Sequence, residues 1–205
     1  MTAKGPISAF METHFRHFNA RETVDAARAF SAHIDGGGKM LLAMAGAMST
    51  AEIGISLARM IREDKIHAVS CTAANLEEDL FNLLAHDEYE VLPGYLDLSP
   101  DQERDLRDRG FNRVTDTAIP ETVFRHLERE FVDTCRRLGE AGERRFPAEV
   151  FQELLLSGKL EPHYRIPPEH SWVLAAAEQG IPIYNPGFED STLGNIFTAR
   201  VIQGE

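Results

Sequence analysis

The sequence predicts an α/β fold, a parallel sheet flanked by helices. Three observations predict it. Met40-Leu41-Leu42-Ala43-Met44-Ala45 is a short continuous apolar run, the length of a strand buried on both faces. Ile66-His67-Ala68-Val69-Ser70-Cys71 reads as a second short strand. Each is followed by a turn of small residues and then by a helical pattern. Short buried strands joined by helices imply right-handed crossovers and a parallel sheet.

Residues 24–30 read as a helix, closed by Asp35-Gly36-Gly37-Gly38, because glycines accept positive φ without a Cβ clash. After the first strand comes the turn Gly46-Ala47-Met48-Ser49-Thr50-Ala51-Glu52, with capping hydroxyls. A helix over 53–61 then puts Ile53, Leu57, Met60 and Ile61 on one face. After the second strand, Thr72-Ala73-Ala74-Asn75 opens a helix over 76–85. Ser99-Pro100-Asp101-Gln102 forms a capping box with proline at the first helical position, starting a charged helix that runs to about Arg109. Residues 110–120 are a loop or an edge strand. Residues 122–138 form an amphipathic helix with Val123, Leu127, Phe131 and Cys135 near one stripe. Pro147 opens a helix ending at Gly158, and 171–179 form another with Gly180 as C-cap. Residues 181–184 are a third strand, and 186–195 a third strand-end loop leading into a helix.

The 205 residues are 43% hydrophobic and 26% charged, which excludes a disordered or collagen-like chain and suits one domain over residues 1–205. Cys71 and Cys135, far apart, argue against a disulfide framework or a cysteine zinc site, and for a reducing compartment. No stretch approaches the ~20 apolar residues of a membrane span, and the N-terminus has no apolar signal core. A cytoplasmic protein without a membrane partner is expected. The net charge of -12, from 33 acidic and 21 basic residues, disfavours a nucleic-acid partner. An acidic balance usually serves solubility; the alternative is an acidic cleft that attracts a cation.

The three strand-end loops are the candidates for chemistry, because ligands of open α/β sheets sit outside the carboxyl ends of strands. Their small residues let a ligand approach the backbone, and helix N-termini offer free N–H groups. There is no G-x-G-x-x-G fingerprint, and Gly36-Gly37-Gly38-Lys39 precedes a strand, so it is no P-loop. Glu77-Glu78-Asp79 places three carboxylates in the first turn of a helix. They either interact with the helix dipole or form a cluster that holds an amine or acts as a base. Asp190 is either an N-cap or an acceptor for a ribose or an amine. His14 with His17, and His163 with His170, do not make a metal site, so no metal is expected. There is no H-E-x-x-H and no G-x-S-x-G.

Four segments occur in a familiar order: Ala45-Gly46-Ala47-Met48-Ser49-Thr50-Ala51-Glu52, Cys71-Thr72-Ala73-Ala74-Asn75-Leu76-Glu77-Glu78-Asp79, Gly110-Phe111-Asn112-Arg113-Val114, and Glu189-Asp190-Ser191-Thr192-Leu193-Gly194-Asn195. Together they resemble the deoxyhypusine synthase family, in its bacterial deoxyhypusine-synthase-like branch of homospermidine-synthase type. Thr72 to Asp79 is the most specific element. The resemblance implies a Rossmann-like fold and an NAD-dependent transferase of polyamines, assembled as a homotetramer. By position it assigns Gly46, Ala47, Ser49, Thr50, Thr72, Ala73, Ala74 and Asp190 to NAD. It assigns Glu77 and Glu78 to catalysis and, with Asn195, to the diamine or polyamine. Asn195 stands where authentic members carry an Asp, and a neutral amide holds a cation more weakly. With only three strands expected, the chain reads as C-terminally incomplete, lacking the family's Gly-rich lysine loop. A binding domain that is inactive alone and associates with a complementary chain is therefore the alternative reading.

Overall fold

In the computed structural model, residues 5–204 are described. The chain divides into two compact units, Met1–Met40 and Leu41–Glu205.

The first unit is helical. Pro6 opens α1 (Pro6–His14) at a position whose missing N–H costs nothing. α2 (Phe18–Asp35) extends past both ends of the helix predicted at 24–30. Arg21 pairs with Asp25 one turn on, at 3.1 Å, which supports the added first turn. Arg28 of α2 reaches Glu12 of α1 at 3.3 Å.

The second unit contains the predicted parallel sheet, although its first strand is not buried on both faces as expected: Leu41 and Ala43 are exposed and Leu42 and Met44 half-buried. β1 (Leu41–Met44) pairs with β2 (Ala68–Cys71), Leu41 opposite Ala68 and Met44 opposite Cys71. β2 also pairs with β6 (Ile183–Tyr184), Val69 opposite Ile183, giving the order β1-β2-β6. All three strands are parallel, so their carboxyl ends lie on one edge. α3 (Gly54–Arg62) links β1 to β2, and α4 (Ala74–Ala85) follows β2. α3 buries Leu57, Ala58 and Ile61, and it packs on α8 (Trp172–Gln179), which buries Trp172, Val173, Ala175 and Ala176. Gly180 closes α8 at φ 63, as the sequence predicts. α4 is buried continuously from Asn75 to Ala85, although five of those residues are polar or charged.

A second, antiparallel sheet was only partly legible. The segment read as a loop or edge strand is a hairpin, β4 (Phe111–Val114) against β5 (Thr117–Pro120), and β5 also pairs with β3 (Glu90–Val91). The hairpin turns at Thr115-Asp116, with Thr115 at φ 53. A β-branched residue in the left-handed region replaces the Asn-Gly signal that announces such turns. α5 (Pro100–Asp108) begins with the predicted capping box, Ser99 N–H donating to Gln102 Oε1 at 2.8 Å. α6 (Glu121–Glu140) buries Val123, Leu127 and Phe131, with Cys135 half-buried. α7 (Pro147–Leu156) and α9 (Thr192–Gln203) complete the unit. Phe131 gathers Phe151, Phe188 and Phe197 within 6.2 Å between ring centroids. This cluster anchors the loop after β6. No helix of the described residues is long and apolar enough to cross a membrane. Cys71 and Cys135 are free thiols, and burial pushes them up to about 12 and about 11.

Candidate active site

The site is organised by α4. Successive residues on a helix turn by ~100°, so the neighbours Glu77, Glu78 and Asp79 face different elements. Glu77 accepts from the backbone N–H groups of Thr192 and Leu193, each at 2.8 Å. Asp79 accepts from Ser171 Oγ at 2.5 Å and from the N–H groups of Val173 at 3.1 Å and Trp172 at 3.3 Å. Glu78 accepts from the Thr50 N–H at 3.3 Å through Oε2. Two of the three carboxylates therefore sit at the positive ends of α9 and α8. The sequence reading set the triplet in the first turn of its own helix; α4 begins at Ala74, so only Glu77 lies there, and the helix starts that Glu77 and Asp79 meet are those of α9 and α8.

Burial raises all three carboxyls. Glu77 lies above its ordinary value, with the Leu193 and Thr192 N–H groups opposing the shift. Glu78 is pushed up to about 7 by burial, against the Thr50 N–H, and neighbouring Glu77 adds to the rise. Asp79 is pushed up to about 7 by burial, against its bonds from Ser171, Val173 and Trp172. A carboxyl poised near neutrality can take and return a proton at working pH.

The loops carrying the other predicted residues pack along α4. Gly46 is exposed at the end of β1, and a Cβ there would meet only Thr72 Oγ1, at 3.8 Å. Ala47 takes a left-handed backbone, φ 59. Ser49 is fully buried, its Oγ accepting from the Trp172 indole at 2.9 Å. Thr50 is half-buried beside Glu78. Thr72 Oγ1 accepts from Asn75 Nδ2 at 2.9 Å. Ala73 is buried, and the Ala74 N–H donates to the Asp190 carbonyl at 3.0 Å, joining the second loop to the third. Asp190 is not the N-cap of α9. Ser191 is, its Oγ accepting from the Gly194 N–H at 2.9 Å, which leaves the Asp190 carboxylate exposed. Gly194 has no room for a side chain, since a Cβ would lie 2.0 Å from the Phe188 carbonyl oxygen. Asn195 Nδ2 donates to the carbonyls of Ser191, at 2.8 Å, and Glu189, at 3.2 Å.

A cleft of about 580 Å³ opens between α4, the β4–β5 hairpin, α6 and the start of α9. Glu77, Glu78, Asp190 and Asn195 line it, as do Glu121 and Glu189, which sequence reasoning missed. Phe81, Ile119 and Phe124 supply apolar wall. Glu121 accepts from Asn112 Nδ2 and pairs with Arg125 at 2.9 Å. Arg113 also borders the cleft, with its guanidinium bonded to Glu103 at 2.8 Å. Asn112 lies in one of the four recognised segments, and that was the one available signal for this wall. Carboxylates around an apolar trough suit a cation on an aliphatic stem. Among the described residues, no group of three or more His, Cys, Asp or Glu is arranged to hold a metal ion.

Comparison with known proteins bears on this geometry. The family profile described as deoxyhypusine synthase matches residues 8–204. The chain belongs to the deoxyhypusine synthase family. A deoxyhypusine synthase-like protein of Caulobacter vibrioides is 29% identical over 86% of this chain and 46% of its own length. One from Nostoc punctiforme is 30% identical over 80% of this chain and 40% of its own. A deoxyhypusine synthase regulatory subunit of Trypanosoma brucei brucei is 27% identical over 78% of this chain and 46% of its own. The chain thus spans less than half the length of these curated relatives. The parallel sheet flanked by helices agrees with the family fold expected from the sequence.

Proposed function

We propose that this chain acts in polyamine metabolism as an NAD-dependent transferase. It would move an aminobutyl group from a diamine to an amine acceptor, with putrescine as both donor and acceptor and homospermidine as product. The observation that carries the reading is the meeting of Glu78, poised near neutrality, with an acidic cleft at the carboxyl ends of parallel strands.

The strand ends fit a nucleotide. Ala45 and Gly46 leave exposed backbone with little side chain, Thr72 stands beside them, and the Asp190 carboxylate is exposed at the third loop. Gly46, Ala47, Thr50, Thr72 and Ala74 would form the ledge under NAD, packed from below by buried Ala73, and Asp190 would accept from ribose hydroxyls. Buried Ser49 would act by fixing the loop through Trp172. When bound, NAD supplies a hydride acceptor for the carbon beside an amine. Glu121 and Glu189 would attract and align the diamine, and Asn195 would accept from one of its ammonium ends. Glu77 fixes the floor by holding α9 and adds negative charge. The Glu78 carboxylate, held by the Thr50 N–H, receives a proton from the reacting amine and returns it later. Two putrescines then give homospermidine and ammonia, with no net oxidation. The family resemblance also supports a homotetramer in the cytoplasm with a small-molecule partner.

The test is to incubate purified chain with NAD and putrescine and to seek homospermidine by mass spectrometry. NAD-dependent product is expected. A folded chain that binds neither NAD nor putrescine would sink the reading. A second reading is favoured by the relative named as a regulatory subunit: the chain binds ligand without turnover and works on a complementary chain. Binding without product, with activity appearing only after a full-length relative is added, would select it.

A further inference from the structure

One face of α4 holds the β1–α3 loop from end to end, through residues spaced three, four and four apart. Asn75 Nδ2 donates to the Ala45 carbonyl at 2.7 Å, and its Oδ1 accepts from the Ser49 N–H at 3.0 Å. Glu78 accepts from the Thr50 N–H, and Asn82 Nδ2 donates to the Ser49 carbonyl at 2.6 Å. The Tyr89 hydroxyl in turn donates to Asn82 Oδ1 at 3.0 Å, which fixes the direction of that amide. His86, just past the last residue of α4, closes the series: its Nε2 lies 2.6 Å from Glu52 Oε1. The first three rungs are buried, and the last is half-exposed at the mouth of a separate 240 Å³ pocket.

The loop needs holding. Ala47 and Glu52 both sit in the left-handed region, at φ 59 and φ 60, and neither is glycine. Such backbone persists only where its surroundings over-determine it. Ser49 and Thr50 lie between these strained residues, and the Thr50 N–H sets Glu78. The Glu52 end has the His86 contact as its side-chain tether to α4.

We propose that His86, acting through Glu52, is a positioning residue for the β1–α3 loop and hence for Glu78. Its importance for nucleotide binding rests on the function proposed above; its hold on the loop does not. His86→Ala should speed hydrogen exchange of the amides at 49–53 and weaken NAD binding, each by about threefold to tenfold. The melting temperature should barely move, because the rung is at the surface. His86→Gln, which can still donate to Glu52, should restore both properties. Glu52→Ala should match His86→Ala, and the double variant should lose no more than either alone. Unchanged exchange at 49–53 in His86→Ala, or fully additive losses in the double variant, would overturn the proposal. If the wild-type chain failed to bind NAD, the nucleotide reading would fall, while the exchange comparison would still decide the tether.

Discussion

The floor and the rim of the cleft are both acidic, yet their carboxylates are used differently. On the floor, Glu77 and Asp79 are buried and committed, each accepting from the opening N–H groups of another helix. On the rim, Glu189 and Asp190 are exposed and Glu121 is half-buried, and Asp190 is passed over as a cap in favour of Ser191. Glu78 lies between the two, buried like the floor but with one backbone donor and a face on the cleft. Identical chemistry thus meets three surroundings. Glu77 and Asp79 clamp other helices; in the function proposed above the exposed rim groups would meet the ligand, and Glu78, which alone of the buried three holds no helix start, would carry the proton.

Breaking the floor should have the largest effect. Asp79→Ala leaves Ser171 and the start of α8 without their acceptor, and should cost about 3 to 4 kcal/mol in urea unfolding. A loss below about 1 kcal/mol would erase the contrast with the rim. Next in size, Glu78→Gln should reduce turnover by at least about a hundredfold with the fold intact. Normal turnover in that variant would remove Glu78 from the mechanism.

The pH dependence of stability sharpens the same contrast. Native Glu78 keeps its proton up to about 7, whereas an ordinary glutamate loses it near 4.5. The folded state therefore binds more protons in that interval, and stability falls as pH rises. The contribution of Glu78 is complete below the lower value and lost on passing the upper one. Glu78→Gln has no such titration. The stability of the wild type relative to this variant should therefore decrease between pH 5 and pH 8. A flat or rising difference in urea midpoints would contradict the assignment. The smallest effects belong to the rim. Glu189→Gln and Glu121→Gln should each weaken putrescine binding by about threefold, more at low salt, with melting temperature unchanged.

The sequence made the strand–turn–helix alternation legible because apolar runs and small-residue turns are local signals. The destinations of the acidic triplet were not legible. The partners of Asp79 lie more than ninety residues on, and those of Glu77 lie at Thr192 and Leu193. Asp190 and Ser191 are adjacent residues of good capping type, so only the backbone could decide between them. Glu121 was missed because the hairpin that presents it turns on Thr115, without the usual glycine or asparagine. The four recognised segments, between Ala45 and Asn195, carried the family, and its match extends beyond them over residues 8–204.

The most direct test of the division between clamp and proton carrier is a paired measurement on Glu77→Gln and Glu78→Gln. Each variant would be assayed for urea stability and for NAD-dependent conversion of putrescine. Glu77→Gln should lose stability, since one amide oxygen cannot accept as well from both α9 donors, while its folded fraction retains turnover within a few-fold. Glu78→Gln should keep its stability and lose turnover. The reverse pattern, an inactive but stable Glu77→Gln beside an active Glu78→Gln, would contradict the account.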